Sequence, residues 1–217
     1  MTTSTSSPGS RGRTVSRRKM HTALLALASV VTVQAWADGT DLAAAERFAD
    51  EHCGSCHGAT GQSAAPNFPR LAGQNEVYLV KQLKDFASGD RKSPMMKEKV
   101  ALMDERMIRS LAAFYARQAA TNTPSTDAQL MAVGQFVYLR GNPYAGLPAC
   151  QSCHGPDAQG THQLPRLAGQ HPVYIATQLR NFHQAERSND GVAMKFVTSR
   201  MSDLEVHAVA AYLGHLK

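Results

Sequence analysis

Two pentapeptides in this sequence are equipped for chemistry, Cys53-Gly54-Ser55-Cys56-His57 and Cys150-Gln151-Ser152-Cys153-His154. Thiols at this spacing can add across the vinyl groups of a haem while the adjacent imidazole reaches the iron, all within about one helical turn. A bare C-x-x-C also serves as half of a zinc site or as a thioredoxin-like redox pair, and two of them can make a four-cysteine zinc site. Here a histidine and then a glycine, Gly58 or Gly155, follow each pair, and the motifs use all 4 cysteines, leaving none for a disulfide. The pattern predicts two covalently bound haem c groups, with His57 and His154 each filling one axial position on an iron.

What fills the other axial position separates a carrier from a catalyst. A methionine thioether closes the site and raises the reduction potential, whereas an open position admits peroxide or oxygen. Two methionine pairs recur between the halves of the chain, Met96 with Met194 and Met103 with Met201. Met103 directly precedes Asp104, and Met201 precedes Ser202-Asp203-Leu204-Glu205, which reads as a capping box. Both occupy the outer position of a hydrophobic staple, with Ile108 and Val206 as their contacts. Met96 and Met194 read as loop residues without such a role and are the expected iron ligands, Met95 being the nearest rival in the first half. Met107 and Met131 read as core filler. His162, His171, His183, His207 and His215 have no counterparts in the first half and read as surface or lightly buried side chains.

A ligating histidine needs an acceptor for its other ring nitrogen. The candidates are the backbone carbonyls of Pro69 and Pro165, which open two copies of Pro-Arg-Leu-Ala-Gly-Gln. The bland alternative, a tight loop shaped by Pro and Gly, is compatible with that role. Arg70, Arg166, Arg91 and Arg187, with Tyr78 and Tyr174, are candidates to pair with haem propionates, because a bidentate Arg–carboxylate contact is strong. Simple surface solvation is the competing explanation.

The elements that must position these groups read as helices throughout. Asp41 can cap a helix carrying Leu42, Ala45 and Phe48 into Cys53. Residues 59–72 are rich in Gly, Pro, Ser and Asn and read as a loop folded across the haem. Helical spacing resumes from Val77 to Phe86 and stops at Gly89. A loop through Arg91, Pro94, Met95 and Met96 follows, and Asp104 caps a last helix with Ile108, Leu111 and Tyr115 on one face. Gln118–Thr126 has the composition of a linker. The rest repeats the first half: Cys53, Cys56 and His57 recur 97 residues later, and Pro69–Gln74, Tyr78, Gln82, Leu83, Phe86 and Arg91 recur 96 later. The chain is therefore an all-α internal duplication, with a signal peptide at 1–37, domain 1 at 38–117, a linker at 118–126 and domain 2 at 127–217. At about 80 residues each half has a marginal core of its own, so the haem must supply apolar core and the apoprotein should be largely unfolded.

The leader follows from Arg11, Arg13, Arg17, Arg18 and Lys19, an apolar run from Thr22 to Val33, and Ala35-Trp36-Ala37 as a cleavage site. The run is short for a membrane span, which takes about 20 residues. Five of the 23 basic residues and none of the 17 acidic ones precede Asp38, leaving 18 against 17. The basic character thus belongs mainly to the leader, and nucleic acid, which wants a clustered basic face, is not an expected partner. A periplasmic location is expected, and peripheral membrane association is compatible with it.

The two Cys-x-x-Cys-His-Gly sites, the run Ala65-Pro66-Asn67-Phe68-Pro69-Arg70-Leu71-Ala72-Gly73-Gln74 and its later counterpart Leu164–His171 resemble the dihaem cytochrome c4 family over nearly all of the mature chain. So do Asn189-Asp190-Gly191 before Met194 and Ala210-Ala211-Tyr212 in the last helix. The resemblance implies two tandem class I cytochrome c domains facing each other across a pseudo-twofold interface. It also implies His/Met ligation with Met96 and Met194, propionates near the interface, and electron delivery in the periplasm toward a terminal oxidase. The expected function is a non-enzymatic carrier of single electrons between redox-protein partners, membrane-bound respiratory complexes. The rivals are a dihaem subunit of a larger oxidoreductase, such as a flavocytochrome sulfide dehydrogenase, and a dihaem peroxidase. A copper or zinc carrier lacks any ligand cluster independent of the haem motifs.

Overall fold

A computed structural model describes residues 40–217, and the leader lies outside the described residues. Helix α1 (Leu42–Phe48) starts where Asp41 accepts a hydrogen bond from the Ala44 amide, satisfying one of the free N–H groups of the first turn. It runs on as a π-helical turn, Ala49–Cys53, into α2 (Gly54–His57). Then come α3 (Glu76–Ser88), α4 (Pro94–Val100) and α5 (Glu105–Ala116). The second half gives α6 (Ala128–Arg140), α7 (Gln151–His154), α8 (Pro172–His183), α9 (Ala193–Thr198) and α10 (Asp203–His215). Among the described residues there is no β-strand, only an isolated bridge between Asn142 and Leu147.

Each half uses its last helix as the spine. α5 packs against α1 and α3, and α10 packs against α6 and α8, while α4 and α9 lean on α3 and α8 respectively. The first core gathers Ala45, Ala49, Leu79, Leu111, Ala112, Phe114 and Tyr115. The second gathers Val137, Tyr138, Ile175, Val206, Val209 and Leu213 among others. The α6–α10 crossing is close enough that a Cβ on Gly134 would lie 2.1 Å from the Ala208 carbonyl oxygen.

The capping expectations meet their geometry. Asp104 accepts from the Met107 amide, and Ser202 with Glu205 forms a complete capping box. Met103 and Met201 pack against the two cores from the residue before each cap. The expected loop at 91–96 is different: Ser93 accepts from the Met96 amide and Pro94 opens α4, so Met96 is helical, and Met194 lies in α9. Proline's fixed φ at the first helical position favours such a start. The helices have only seven and six residues, too short for periodicity to reveal.

The segment 118–126 is no free tether. Thr123 N–H donates to the Gly214 carbonyl, Asn122 to the His215 carbonyl, and the Ser125 amide to His215 Nδ1. A Cβ on Gly169 would meet the Thr121 carbonyl oxygen at 2.1 Å.

Candidate haem sites and the interface between them

In both halves a single helical turn presents the two sulfurs and the imidazole together, and a glycine at positive φ, Gly58 at 75° or Gly155 at 80°, turns the chain away. That conformation is costly for any residue with a Cβ. His57 Nδ1 lies 2.9 Å from the Pro69 carbonyl oxygen, and His154 Nδ1 lies 3.5 Å from that of Pro165. A carbonyl can only accept, so Nδ1 carries the proton and Nε2 keeps its lone pair. Burial lowers the pKa of both histidines, outweighing the opposing proline carbonyls, and holds them in the neutral form a metal needs. Burial pushes the Cys150 thiol up to about 11 and raises that of Cys53 as well.

Met96 is half-buried while its neighbour Met95 is 52% exposed. Met194 is half-buried too, and its amide donates to the Asp190 carboxylate at 2.7 Å. Each methionine thus sits near the start of a short helix whose first turn is pinned from upstream.

The residues also fit a large, carboxylate-bearing apolar group. Arg70 Nε is buried without a hydrogen-bond partner, and the Tyr115 hydroxyl has no partner other than the Cys53 thiol it faces. Burial, reinforced by the Cys53 thiol, raises the Tyr115 pKa. Orphaned donors of this kind are rare unless a partner is missing, and a haem propionate would answer the guanidinium.

The other polar candidates converge on the contact between the halves. Arg91 stacks on Phe86 of its own domain at 4.6 Å and donates to its own Gln82. It also donates to Tyr174 and Gln178 of the opposite domain. Arg187 mirrors it, stacking on Phe182 at 4.6 Å and donating to Gln178, to Tyr78 and Gln82 across the interface, and to Asn189. Burial raises the Tyr78 pKa, but Arg187 and Arg91 outweigh it and leave the phenol below its ordinary value. Both arginines are therefore engaged by interface groups. Arg166 Nε donates to the Ala168 carbonyl and Arg70 Nη1 to that of Gly169.

The repeated Gln of Pro-Arg-Leu-Ala-Gly-Gln had no assigned role from sequence. Gln170 accepts from the Arg70 N–H at 2.8 Å and donates to the Arg70 carbonyl at 2.9 Å. Gln74 does the same to Arg166, at 2.7 and 2.9 Å. The next residues also cross over. Asn75 donates to carbonyls of Gln159, Thr161 and Leu164, and His171 Nε2 donates to the Ser63 carbonyl at 2.8 Å. His171 is thus buried, 5% exposed, contrary to the surface or lightly buried position expected for it. The sequence signal was the register position that Asn75 and His171 share in the repeat, and in the structure neither caps the helix it precedes.

Among the described residues no His, Cys, Asp and Glu side chains cluster as an independent metal site, and no helix is long and apolar enough to cross a membrane. The cytochrome c family profile matches residues 42–137 and 140–217. The chain is 35% identical to cytochrome c4 of Azotobacter vinelandii over 210 residues, covering 91% of this chain and all of the relative. It is 36% identical to a thiosulfate dehydrogenase electron acceptor of Thiomonas intermedia, covering 82% and 84% of the two chains. The crystal structure of reduced recombinant cytochrome c4 from Pseudomonas stutzeri superposes with a TM-score of 0.77 at 33% identity, covering 82% of this chain and all of that one.

Proposed function

From the premise that this chain belongs to the dihaem cytochrome c4 family, with two covalently bound haem c groups, we propose that it is a periplasmic carrier of single electrons between membrane-bound respiratory partners. Cys53, Cys56, Cys150 and Cys153 anchor the haems. His57 with Met96 and His154 with Met194 hold the irons. When bound, each haem supplies a one-electron iron couple.

The observation that carries this reading is the repeated turn in which a neutral histidine, buried in domain 1 and half-buried in domain 2, is fixed through Nδ1 by a proline carbonyl. Each repeat also holds a half-buried methionine near the start of a short helix. Two protein ligands that stay in place in both oxidation states keep reorganisation small. They also leave no coordination position for peroxide, which argues against a peroxidase. Arg70 is the side chain best placed for a propionate, since its Nε is buried and unpaired.

The likeness to a thiosulfate dehydrogenase electron acceptor favours a second reading, in which the donor is a dehydrogenase that hands electrons directly to this chain. Oxidised holoprotein tests the main reading: sulfur-ligated ferric haem has a weak far-red charge-transfer band. Two equivalents per chain are expected, with Met96→Ala and Met194→Ala each removing one. A full band in either variant would overturn the assignment.

A further inference from the structure

We propose that Gln170 and Gln74 are positioning residues that act crosswise, each setting the hydrogen-bond strength, and hence the reduction potential, at the axial histidine of the opposite domain. The proposal rests on His57 and His154 being iron ligands.

The geometry runs through a single peptide unit. The oxygen of the Pro69–Arg70 peptide accepts from His57 Nδ1 at 2.9 Å, and the N–H of the same peptide donates to Gln170 Oε1 at 2.8 Å. In domain 2 the Pro165–Arg166 peptide faces His154 at 3.5 Å and Gln74 Oε1 at 2.7 Å. Hydrogen bonds at the two ends of an amide polarise one another: an acceptor at N–H shifts electron density onto the carbonyl oxygen, which then accepts more strongly. A stronger bond to Nδ1–H makes Nε2 a better donor to iron and favours the ferric state. Removing Gln170 therefore raises the potential of the haem in domain 1, and removing Gln74 raises that in domain 2.

The glutamines are built for this. Each is only 7% exposed. Each oxygen takes a second bond from the following amide, Asn75 N–H at 2.9 Å and His171 N–H at 3.0 Å, while each NH2 group is held by the arginine carbonyl across the interface. Reversing either amide would turn its NH2 group toward two N–H donors, so the orientation is fixed. A dry, fixed dipole next to a ligand's hydrogen-bond partner is electrostatically stronger than the same group in water. Docking of the domains and tuning of the irons thus use the same atoms.

The test is a redox titration of holoprotein followed on haem methyl resonances assigned to each domain. Gln170→Met keeps the length of the side chain and removes both polar atoms. It should shift the reduction equilibrium of the domain 1 haem severalfold toward the ferrous state, a tenfold change being about 59 mV for one electron. The His57 Nδ1 proton of the reduced protein should move upfield, and the domain 2 haem should stay put. Gln74→Met should give the mirror image, with His154 as the reporter. Glutamines that merely hold the interface would move both haems together or leave both Nδ1 resonances in place, and either result overturns the proposal. Reduced holoprotein in which the ring protons of His57 and His154 lack the large upfield ring-current shift of an axial imidazole would instead overturn the ligand assignment beneath the proposal.

Discussion

Domain 1 and domain 2 repeat the same five helices yet reach the haem motif by different routes. In domain 1 a π-helical turn carries α1 straight into Cys53. In domain 2 α6 is longer and stops at Arg140, and a turn closed by the Asn142–Leu147 bridge delivers Cys150. The histidine–proline contact is 2.9 Å in the first and 3.5 Å in the second, and His57 is the more buried of the two histidines. The two histidines proposed as iron ligands thereby sit in unequal surroundings, which is how a duplication can separate two potentials without changing a ligand.

The interface arginines give the largest way to probe that inequality. Arg187 is 8% exposed and donates four hydrogen bonds, whereas Arg91 is half-buried and donates three. Truncation strands acceptors that hydrogen bonds from a charged group had satisfied. Arg187→Met should cost about 4 kcal/mol in denaturant unfolding of holoprotein and Arg91→Met about 2 kcal/mol. Equal losses would mean that the two sides of the cluster are energetically alike despite their different burial.

An effect smaller than that expected for Arg187 concerns helix crossing. Domain 1 brings α1 and the π-helical turn that follows it onto the core around α5 through the fully buried Ala45 and Ala49, where a methyl group is already accommodated. In domain 2 a methyl on Gly134 would lie 2.1 Å from the Ala208 oxygen, a backbone atom that no rotamer change can move aside. Gly134→Ala should destabilise domain 2 by about 3 kcal/mol. Calorimetry of the holoprotein should register this as a lowered transition for domain 2 with domain 1 unchanged. An unshifted transition would mean that α6 and α10 separate cheaply.

The residues with strong local signatures were legible from sequence. Asp41, Asp104 and Ser202 announce helix starts because a cap needs only its own next few residues. Gly89 at φ 90° announces a stop in the same way. The haem motifs were legible because attachment chemistry is compressed into five consecutive residues. What stayed hidden was set between the domains. Arg91, Arg187, Tyr78 and Tyr174 stood out as repeat-matched polar residues suited to propionates. Their bonds to one another span 83 to 109 positions, a separation that neither periodicity nor composition encodes. Gln74 and Gln170 carried no signal of charge or aromaticity, only their recurrence.

The smallest expected effect separates Asn75 from His171, which share a register position and both reach across the interface. Asparagine does not titrate, whereas histidine does. Burial lowers the His171 pKa from its ordinary 6.5; the Ser63 carbonyl that accepts its proton opposes this, and the nearby Arg70 adds to the lowering. With the folded-state pKa below the unfolded one, the fold favours neutral imidazole. The stabilisation is fully present above about pH 6.5 and is lost as pH falls through the lowered folded value. Acidification should therefore loosen docking from the domain 2 side alone. The denaturant midpoint of the wild-type holoprotein should decline between pH 7 and pH 5, and His171→Asn should flatten that decline. An identical slope in the variant would assign the acid sensitivity to other groups and leave the two crossing side chains equivalent.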